Sequence, residues 1–175
     1  MPCLCSQFSD LELERNQIKQ RSKETTRIIE NLHLVATHED LEHVLYRCGS
    51  CGCLWQRALA WNWGNIEYLF KVPDCVTDDW HIAPYIDPDS VLIWVAMMEQ
   101  FLTQRFEPSG NRCRHAGCDR PGIMMSVNCL VHHIESIQRL GKLPATPNGR
   151  WLPCYANVAP ESLDTYVAGL QPRQP

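Results

Sequence analysis

Residues 113–133 read CRHAGCDRPGIMMSVNCLVHH and contain the spacing Cys-x4-Cys-x10-Cys-x2-His. Zinc prefers four thiolate or imidazole ligands in a tetrahedron, and two cysteines on a tight loop supply two of them. On a helix, two residues three apart lie on one side of the same turn, as the last cysteine and the histidine would. The stretch therefore predicts a closed, structural zinc site formed by Cys113, Cys118, Cys129 and His132.

The same stretch predicts a helix that ends at Gly141, with Ser126 or Asn128 as its N-cap. The backbone N–H groups at a helix start favour a thiolate over a thiol, which suits a metal ligand there. The Cys-x2-His spacing favours His132 as the ligand, and the adjacent His133 is the alternative.

A second metal signal lies in residues 46–55, YRCGSCGCLW, where Cys48-x2-Cys51 is followed by glycine. This is the knuckle of a zinc ribbon, in which glycine permits the left-handed turn that aims backbone amides at the sulfurs. No second Cys-x2-Cys is present in the sequence to complete the site. Cys75 and His81 are the nearest candidates, and the alternatives are Cys53, His43, the pair Cys3-x-Cys5, and Cys154.

Composition favours metal over disulfides as the role of the ten cysteines among 175 residues. The first 26 residues are rich in charge and contain no apolar leader, so we expect a cytoplasmic protein with reduced thiols. No stretch is long and apolar enough for a membrane span, so no membrane partner is expected. The net charge of −4 argues against a general nucleic-acid binder.

Local patterns predict an α+β fold. A capping box at Ser9–Glu12 predicts a solvated helix over 10–27. The runs LHLVAT, HVLYRC and IEYLFKV predict a small antiparallel sheet that carries the knuckle, with a hairpin turn at residues 63–65. Asp87 and the proline after it predict the start of a packing helix over 88–106.

These elements predict four segments along the chain. An N-terminal helix occupies 1–28, and a β-rich zinc-knuckle domain with one helix occupies 29–107. A treble-clef-like zinc module occupies 108–142. The remaining residues, 143–175, are rich in proline and are predicted to run extended over the surface.

Charge is unevenly distributed. Residues 72–107 carry a net charge of −6, and residues 108–150 carry +4. Such stretches are ordinarily solvated surface, but an acidic face can also engage a basic partner.

Strand alternation prevents neighbouring tryptophans on a hairpin from all facing inward. The residues predicted to contact a protein partner are Asp78, Asp79, Asp87, Asp89, Trp61 and Trp63.

None of the catalytic motifs considered is complete in the sequence. His38-Glu39 and His43 are spaced one residue too far apart for the helical histidine pair of a metalloprotease. His133-x-Glu135 lacks the Pro-Cys-x-x-Cys of zinc deaminases, and no phosphate-binding or nucleophile-elbow glycine motif is present. The loop before Cys129 is too short for a metal-dependent nuclease of the His-Asn-His type. We predict no catalytic residues and no enzymatic activity.

The segment LHLVATHEDLEHVLYRCGSCGCLWQ resembles small uncharacterised bacterial proteins with a zinc-ribbon knuckle in a β-rich domain. CRHAGCDRP and CLVHH are similar to treble-clef-like modules of other bacterial proteins. The resemblance implies a bacterial, cytoplasmic, zinc-stabilised protein of the kind found among toxin-immunity systems.

The leading hypothesis is a non-enzymatic protein that binds another protein, most plausibly an immunity protein that inhibits a cognate toxin. An acidic surface on such an inhibitor mimics phosphate and accelerates association. The alternative is a zinc-finger regulator that binds nucleic acid through the basic residues 108–150.

Overall fold

The computed structural model describes residues 3–60, 66–159 and 162–170, with only the backbone at 169 and 170. The predicted α+β class, with an antiparallel sheet and cysteine clusters, is confirmed. The described strands are β1 (Leu32–Thr37), β2 (Val44–Cys48), β3 (Leu54–Ala60), β4 (Ile66–Val72), β5 (Pro108–Arg112) and β6 (Pro121–Ile123). The described α-helices are α1 (Arg15–Ile29), α2 (Thr77–Ile82), α3 (Pro88–Leu102), α4 (Leu130–Arg139) and α5 (Leu163–Leu170).

The chain divides into two compact units. One comprises Met1–Leu92 with Asn148–Pro153, and the other comprises Ile93–Pro147 with Cys154–Pro175. The chain passes from the first unit to the second within α3.

In the first unit, strands β1 to β4 form an antiparallel meander in sequence order. The three runs predicted as strands are confirmed, and β3 lies between two of them. The predicted turn at residues 63–65 lies outside the described residues. Consecutive pairing places the β2–β3 turn, which carries the cysteine knuckle, at one end of the sheet.

Helix α1 packs on this sheet and begins later than predicted. Its buried side chains include Ile18, Arg21 and Ile28. The Ser9 and Glu12 side chains do contact each other, but both also bind the Arg21 guanidinium, with Glu12 Oε1 at 2.6 Å. The pair therefore fastens the N-terminal segment to α1 instead of capping a helix at residue 10.

A buried glutamine joins the sheet to α2. The Gln56 side chain is fully buried on β3, where an unpaired amide would be costly. Its Oε1 accepts hydrogen bonds from Trp80 Nε1 at 2.8 Å and from the Tyr85 N–H at 3.0 Å. Its Nε2 donates to the Tyr85 carbonyl at 2.6 Å. These bonds fix α2 and the segment that leads into α3.

Helix α3 begins as predicted but ends four residues early, at Leu102. Asp87 is the N-cap, because its Oδ1 accepts a hydrogen bond from the Ser90 N–H at 2.9 Å. Tyr68 of β4 donates to the same oxygen at 3.1 Å. The helix start is therefore tied to the sheet as well as capped.

In the second unit, β5 and β6 form a hairpin that is followed by α4. The N-cap of α4 is Cys129, so the predicted caps Ser126 and Asn128 are wrong. The predicted end at Gly141 is confirmed: its φ is +69°, and the Lys142 N–H reaches back to the Ile137 carbonyl at 3.1 Å.

The prediction of an extended tail is wrong. A 3-10 helix spans Pro153–Asn157, and α5 follows at Leu163–Leu170. Leu163, Tyr166 and Val167 of α5 are buried. Helical spacing of these apolar residues outweighs the high proline content, because no proline lies within α5.

Candidate metal centres

Four cysteines come together beside the β2–β3 turn: Cys3, Cys5, Cys48 and Cys51, which we call the first cysteine group. Their sulfur atoms all lie within 4.8 Å of one another. Cys3 Sγ is 3.7 Å from Cys48 Sγ and 3.2 Å from Cys51 Sγ, and neither pair is a disulfide. Four soft ligands that converge without bonding to each other could hold a metal ion.

The knuckle turn supplies backbone N–H groups to the sulfur atoms. Gly52 has a φ of +75°, which is the left-handed turn that the sequence predicted. Burial by itself raises the pKa of the Cys48 thiol. Hydrogen bonds from the backbone N–H groups of Cys51 and Ser50 have the opposite and larger effect, so the pKa falls to about 6. The turn therefore prepares Cys48 to act as a thiolate ligand.

Cys5 lies in a different environment, against the hydrophobic core. It is buried with Ile28, Trp55 and Leu69. Burial raises the pKa of the Cys5 thiol, and the hydrogen bond from Trp55 opposes this only in part. A metal ion binding here would have to displace a proton from Cys5.

The segment that carries Cys3 and Cys5 is fastened by two cations. Lys71 Nζ donates to the Phe8 carbonyl at 2.7 Å and to Asp10 Oδ1 at 2.8 Å. Arg21 donates to the Ser9 carbonyl at 3.1 Å. Both cations also lie 5.6 Å from the Trp55 ring. They therefore hold the N-terminal segment against the buried Trp55 of the sheet.

The second cysteine group comprises Cys113, Cys118, Cys129 and His132, the four residues predicted as ligands. His132 Nδ1 is 3.3 Å from Cys113 Sγ and 3.4 Å from Cys129 Sγ. Cys118 Sγ is 3.9 Å from Cys129 Sγ. The structure thus brings the four donor atoms together, and this group too could hold a metal ion.

Two short elements position these ligands. The loop between β5 and β6 carries Cys113 and Cys118, while Cys129 caps α4 and His132 lies in its first turn. Burial opposes ionisation of Cys113, but the backbone N–H groups of Cys129 and His115 and the His132 ring lower its pKa to about 6. The hairpin loop and the start of α4 therefore direct their four side chains toward the same point.

The two adjacent histidines lie in different environments. His132 directs Nδ1 at the sulfur atoms, and its ring stacks on His115 with centroids 3.8 Å apart. His133 instead packs near Phe101 and Phe106, at 6.3 and 6.0 Å between centroids. Burial lowers the pKa of His133, which keeps the ring neutral in this apolar setting. His133 is therefore a packing residue.

The prediction that Cys75 and His81 complete the knuckle site is wrong. Neither residue belongs to a metal-competent group among the described residues, and Cys3 and Cys5 take those two positions. The signal was the Cys-x-Cys pair, which the sequence offered only as an alternative. Local spacing could not connect this pair with the knuckle, since Cys3 precedes Cys48 by 45 residues.

The predicted acidic face is only partly exposed. Asp87 is 9% exposed and Asp89 is fully buried, with Asp89 Oδ1 3.3 Å from Arg15 Nε. Both therefore stabilise the start of α3 and are unable to form a contact surface, which corrects the prediction. Asp78 and Asp79 are exposed on α2. Trp61 and Trp63 lie outside the described residues.

The basic stretch 108–150 is partly neutralised. Three of its six bases form ion pairs, Arg112 with Asp119, Arg120 with Asp164, and Arg150 with Asp79. Two of these acids, Asp79 and Asp164, lie outside the stretch, so they lower its local positive charge below the net +4 of the stretch itself.

Comparison with known proteins identifies no relative. No family model, no curated protein and no solved structure matches the chain. Within the described residues, none of the helices has the length and apolar character needed to span a bilayer.

Proposed function

We propose that the two cysteine groups bind structural zinc ions and that the folded protein acts by binding another protein, without catalysis. The observation that carries the proposal is the convergence of four protein ligands at each group. Zinc with four protein ligands has no open position for water or substrate, which is typical of structural sites.

Most of the distances within the groups are those expected of a tetrahedral zinc site. Zinc–sulfur bonds of about 2.3 Å give tetrahedral sulfur–sulfur edges of about 3.8 Å, and a histidine ligand gives sulfur–nitrogen edges of about 3.5 Å. The distances from Cys3 to Cys48 and from Cys118 to Cys129 are 3.7 and 3.9 Å, which match such an edge, whereas that from Cys3 to Cys51 is 3.2 Å and is shorter. The two sulfur–nitrogen distances at His132 are 3.3 and 3.4 Å. Thiolate and imidazole ligands in these geometries suit zinc.

In this proposal the second cysteine group is a treble-clef-like module. Its support is the order of elements, in which a hairpin loop supplies two ligands and the start of the following helix supplies the other two. The first group is a ribbon-like knuckle on the β2–β3 turn that is completed by an N-terminal Cys-x-Cys pair.

The proposed contact surface is α2, defined here as Val76, Asp78, Asp79 and Ile82. Val76 is 63% exposed and Ile82 is 84% exposed, at opposite ends of the short helix. Two exposed acids lie between them, of which Asp79 is paired with Arg150, while Trp80 anchors the helix in the core. Apolar contacts flanked by charge are typical of protein interfaces, in which charge accelerates association.

A partner for this surface would present a basic, partly apolar face. The sequence resemblance favours a cognate toxin as this partner, which the contact would inhibit. Toxins that act on nucleic acids or nucleotides carry basic sites, which acidic side chains can occupy.

Metal content tests the first half of the proposal. Elemental analysis of the purified chain should give two zinc ions per molecule, and a strong chelator should remove them with loss of folded structure. A protein that folds and remains folded without any metal would contradict a structural role.

Partner binding is tested with the product of the neighbouring gene. Co-expression should yield a complex with the wild-type chain, and Ile82→Ser together with Asp78→Asn should weaken it at least tenfold. Leu140→Ser is the matched control, since Leu140 is 71% exposed and lies outside α2. Absence of a complex, or equal weakening by the control, would contradict the proposed surface. Retention of the chain on DNA or RNA in a salt-sensitive manner would favour the alternative regulator.

A further inference from the structure

The turn between β1 and β2 holds three side chains of types that bind metals, and they belong to neither cysteine group. His38, Asp40 and His43 each offer one donor atom, and these atoms lie within 4.8 Å of one another. His38 Nδ1 is 2.9 Å from Asp40 Oδ2, and His43 Nδ1 is 2.6 Å from the same oxygen. Two imidazoles and a carboxylate thus direct their donor atoms into one small volume.

Backbone hydrogen bonds hold the turn in this arrangement. The His38 N–H donates to the His43 carbonyl at 2.9 Å, and the Leu41 N–H donates to the His38 carbonyl at 3.0 Å. Asp40 Oδ1 accepts from the N–H groups of Glu42 and His43, at 2.9 and 3.0 Å. Because Oδ1 has these partners, the other oxygen is left to face the two rings.

Arg57 of β3 clamps the same turn. Its Nη2 donates to the Leu41 carbonyl at 2.7 Å and its Nε to the Glu42 carbonyl at 3.4 Å. Leu41 has a φ of +61°, which is uncommon for a residue other than glycine, and its side chain is 70% exposed. The surrounding hydrogen bonds therefore maintain a strained backbone at Leu41. This backbone conformation brings the three side chains together. The Arg57 charge is balanced by Glu67 at 2.9 Å.

The site is accessible and carries negative charge. The side chains of His38 and His43 are 20% and 22% exposed, and that of Asp40 is 36% exposed. Burial raises the pKa of Asp40, but hydrogen bonds from the His43 backbone and side chain hold it well below its usual range. An ion from solvent can therefore reach an ionised carboxylate flanked by two rings.

We propose that His38, Asp40 and His43 bind a divalent transition-metal ion, in a third site that is distinct from the cysteine groups. Two imidazoles and one carboxylate suit an ion that accepts octahedral coordination, such as Ni²⁺ or Fe²⁺, and they leave coordination positions for water or a small ligand. Adjacent ligands around an octahedral ion with bonds of about 2.1 Å lie about 3.0 Å apart, close to the 2.9 Å between His38 Nδ1 and Asp40 Oδ2. The 2.6 Å between His43 Nδ1 and Asp40 Oδ2 is a hydrogen-bond distance, so an ion that binds here replaces that bond and moves these two atoms slightly apart. This site contrasts with the four-ligand groups, which leave no open position.

The test uses the full chain with its cysteine groups loaded with zinc. Ni²⁺ is titrated in by calorimetry while a chromophoric chelator in a parallel sample reports any zinc released. The proposal requires one equivalent of Ni²⁺ to bind without zinc release. Asp40→Asn and His43→Gln should each weaken that binding at least tenfold, because each removes a direct ligand.

One of these variants preserves the turn, and a further variant serves as the control. Asp40→Asn keeps an oxygen that can accept the backbone hydrogen bonds of the turn, so it tests the ligand without dismantling the loop. His81→Gln removes an exposed histidine of the same unit and should leave Ni²⁺ binding unchanged. Uptake of Ni²⁺ only in exchange for zinc would overturn the proposal, since the three residues would then form a hydrogen-bonded cluster alone. Equal binding by wild type and both ligand variants would overturn it as well.

Discussion

Trp55 Nε1 lies 3.3 Å from the sulfur of Cys5 and donates a hydrogen bond to it. Trp55 is fully buried on β3, and Phe8 packs on its ring edge-to-face at 6.1 Å between centroids. The indole thus links the core of the sheet to a cysteine from the N-terminal segment. Packing and ligand placement depend on the same side chain.

Trp55→Phe should weaken zinc binding at the first cysteine group about tenfold, because the phenyl ring retains apolar volume but loses the donor to Cys5. The measurement is competition with a chromophoric zinc chelator. Trp94→Phe is the matched control, since Trp94 Nε1 is buried and has no hydrogen-bond partner among the described residues. An equal loss of affinity in both variants would show that the effect is packing alone.

Cys3→Ser and Cys5→Ser should each reduce zinc content from two ions to about one per chain, because three remaining ligands bind zinc much more weakly. Elemental analysis after dialysis measures this content. Cys75→Ser should retain both ions, because Cys75 lies outside the first cysteine group. The assignment of ligands fails if Cys75→Ser loses zinc and Cys3→Ser does not.

Zinc affinity should rise with pH between about 6.5 and 8, because bound ligands must be thiolates. Burial raises the pKa of Cys5 and Cys129, so both must release protons on binding. The pKa values of Cys48 and Cys113 are about 6, so these thiols protonate only as the pH falls through that value. Zinc release should therefore steepen below about pH 6. Equilibrium dialysis across this range provides the measurement, and a flat profile would contradict it.

Asp87→Ala should lower the free energy of unfolding by about 1–3 kcal/mol, because it removes the N-cap of α3 and a partner of Tyr68. Asp78→Asn should change it by less than about 0.5 kcal/mol, since Asp78 is exposed. Urea unfolding of the zinc-loaded protein compares the two. Equal changes in the free energy of unfolding for the two variants would contradict a specific stabilising role for Asp87.

Local signals predicted much of the fold. Asp87, followed by proline and acid, indicated where α3 begins, since a cap acts on residues within one turn. Ser9 and Glu12 show the limit of such reasoning. Their side chains meet as a capping box would, but the buried Arg21 of α1 binds both, and the helix begins five residues beyond the predicted start, at Arg15.

The two cysteine groups show the same division. Cys113, Cys118, Cys129 and His132 lie within 20 residues, so their spacing alone predicted that they meet. The partners of Cys48 and Cys51 come from a segment more than 40 residues earlier. No spacing rule selects Cys3 and Cys5 over Cys75 and His81, because the choice depends on how the N-terminal segment packs.

The amino-acid sequence by itself determined three strands of the antiparallel sheet, the glycine turn of the knuckle and the meeting of the four residues of the second group, because each depends on residues close along the chain. Only the tertiary structure decided that Cys3 and Cys5 complete the first group and that Asp87 and Asp89 are buried. The physical reason is that these outcomes depend on contacts between distant segments. Arg21 and Lys71 fasten the N-terminal segment beside Trp55.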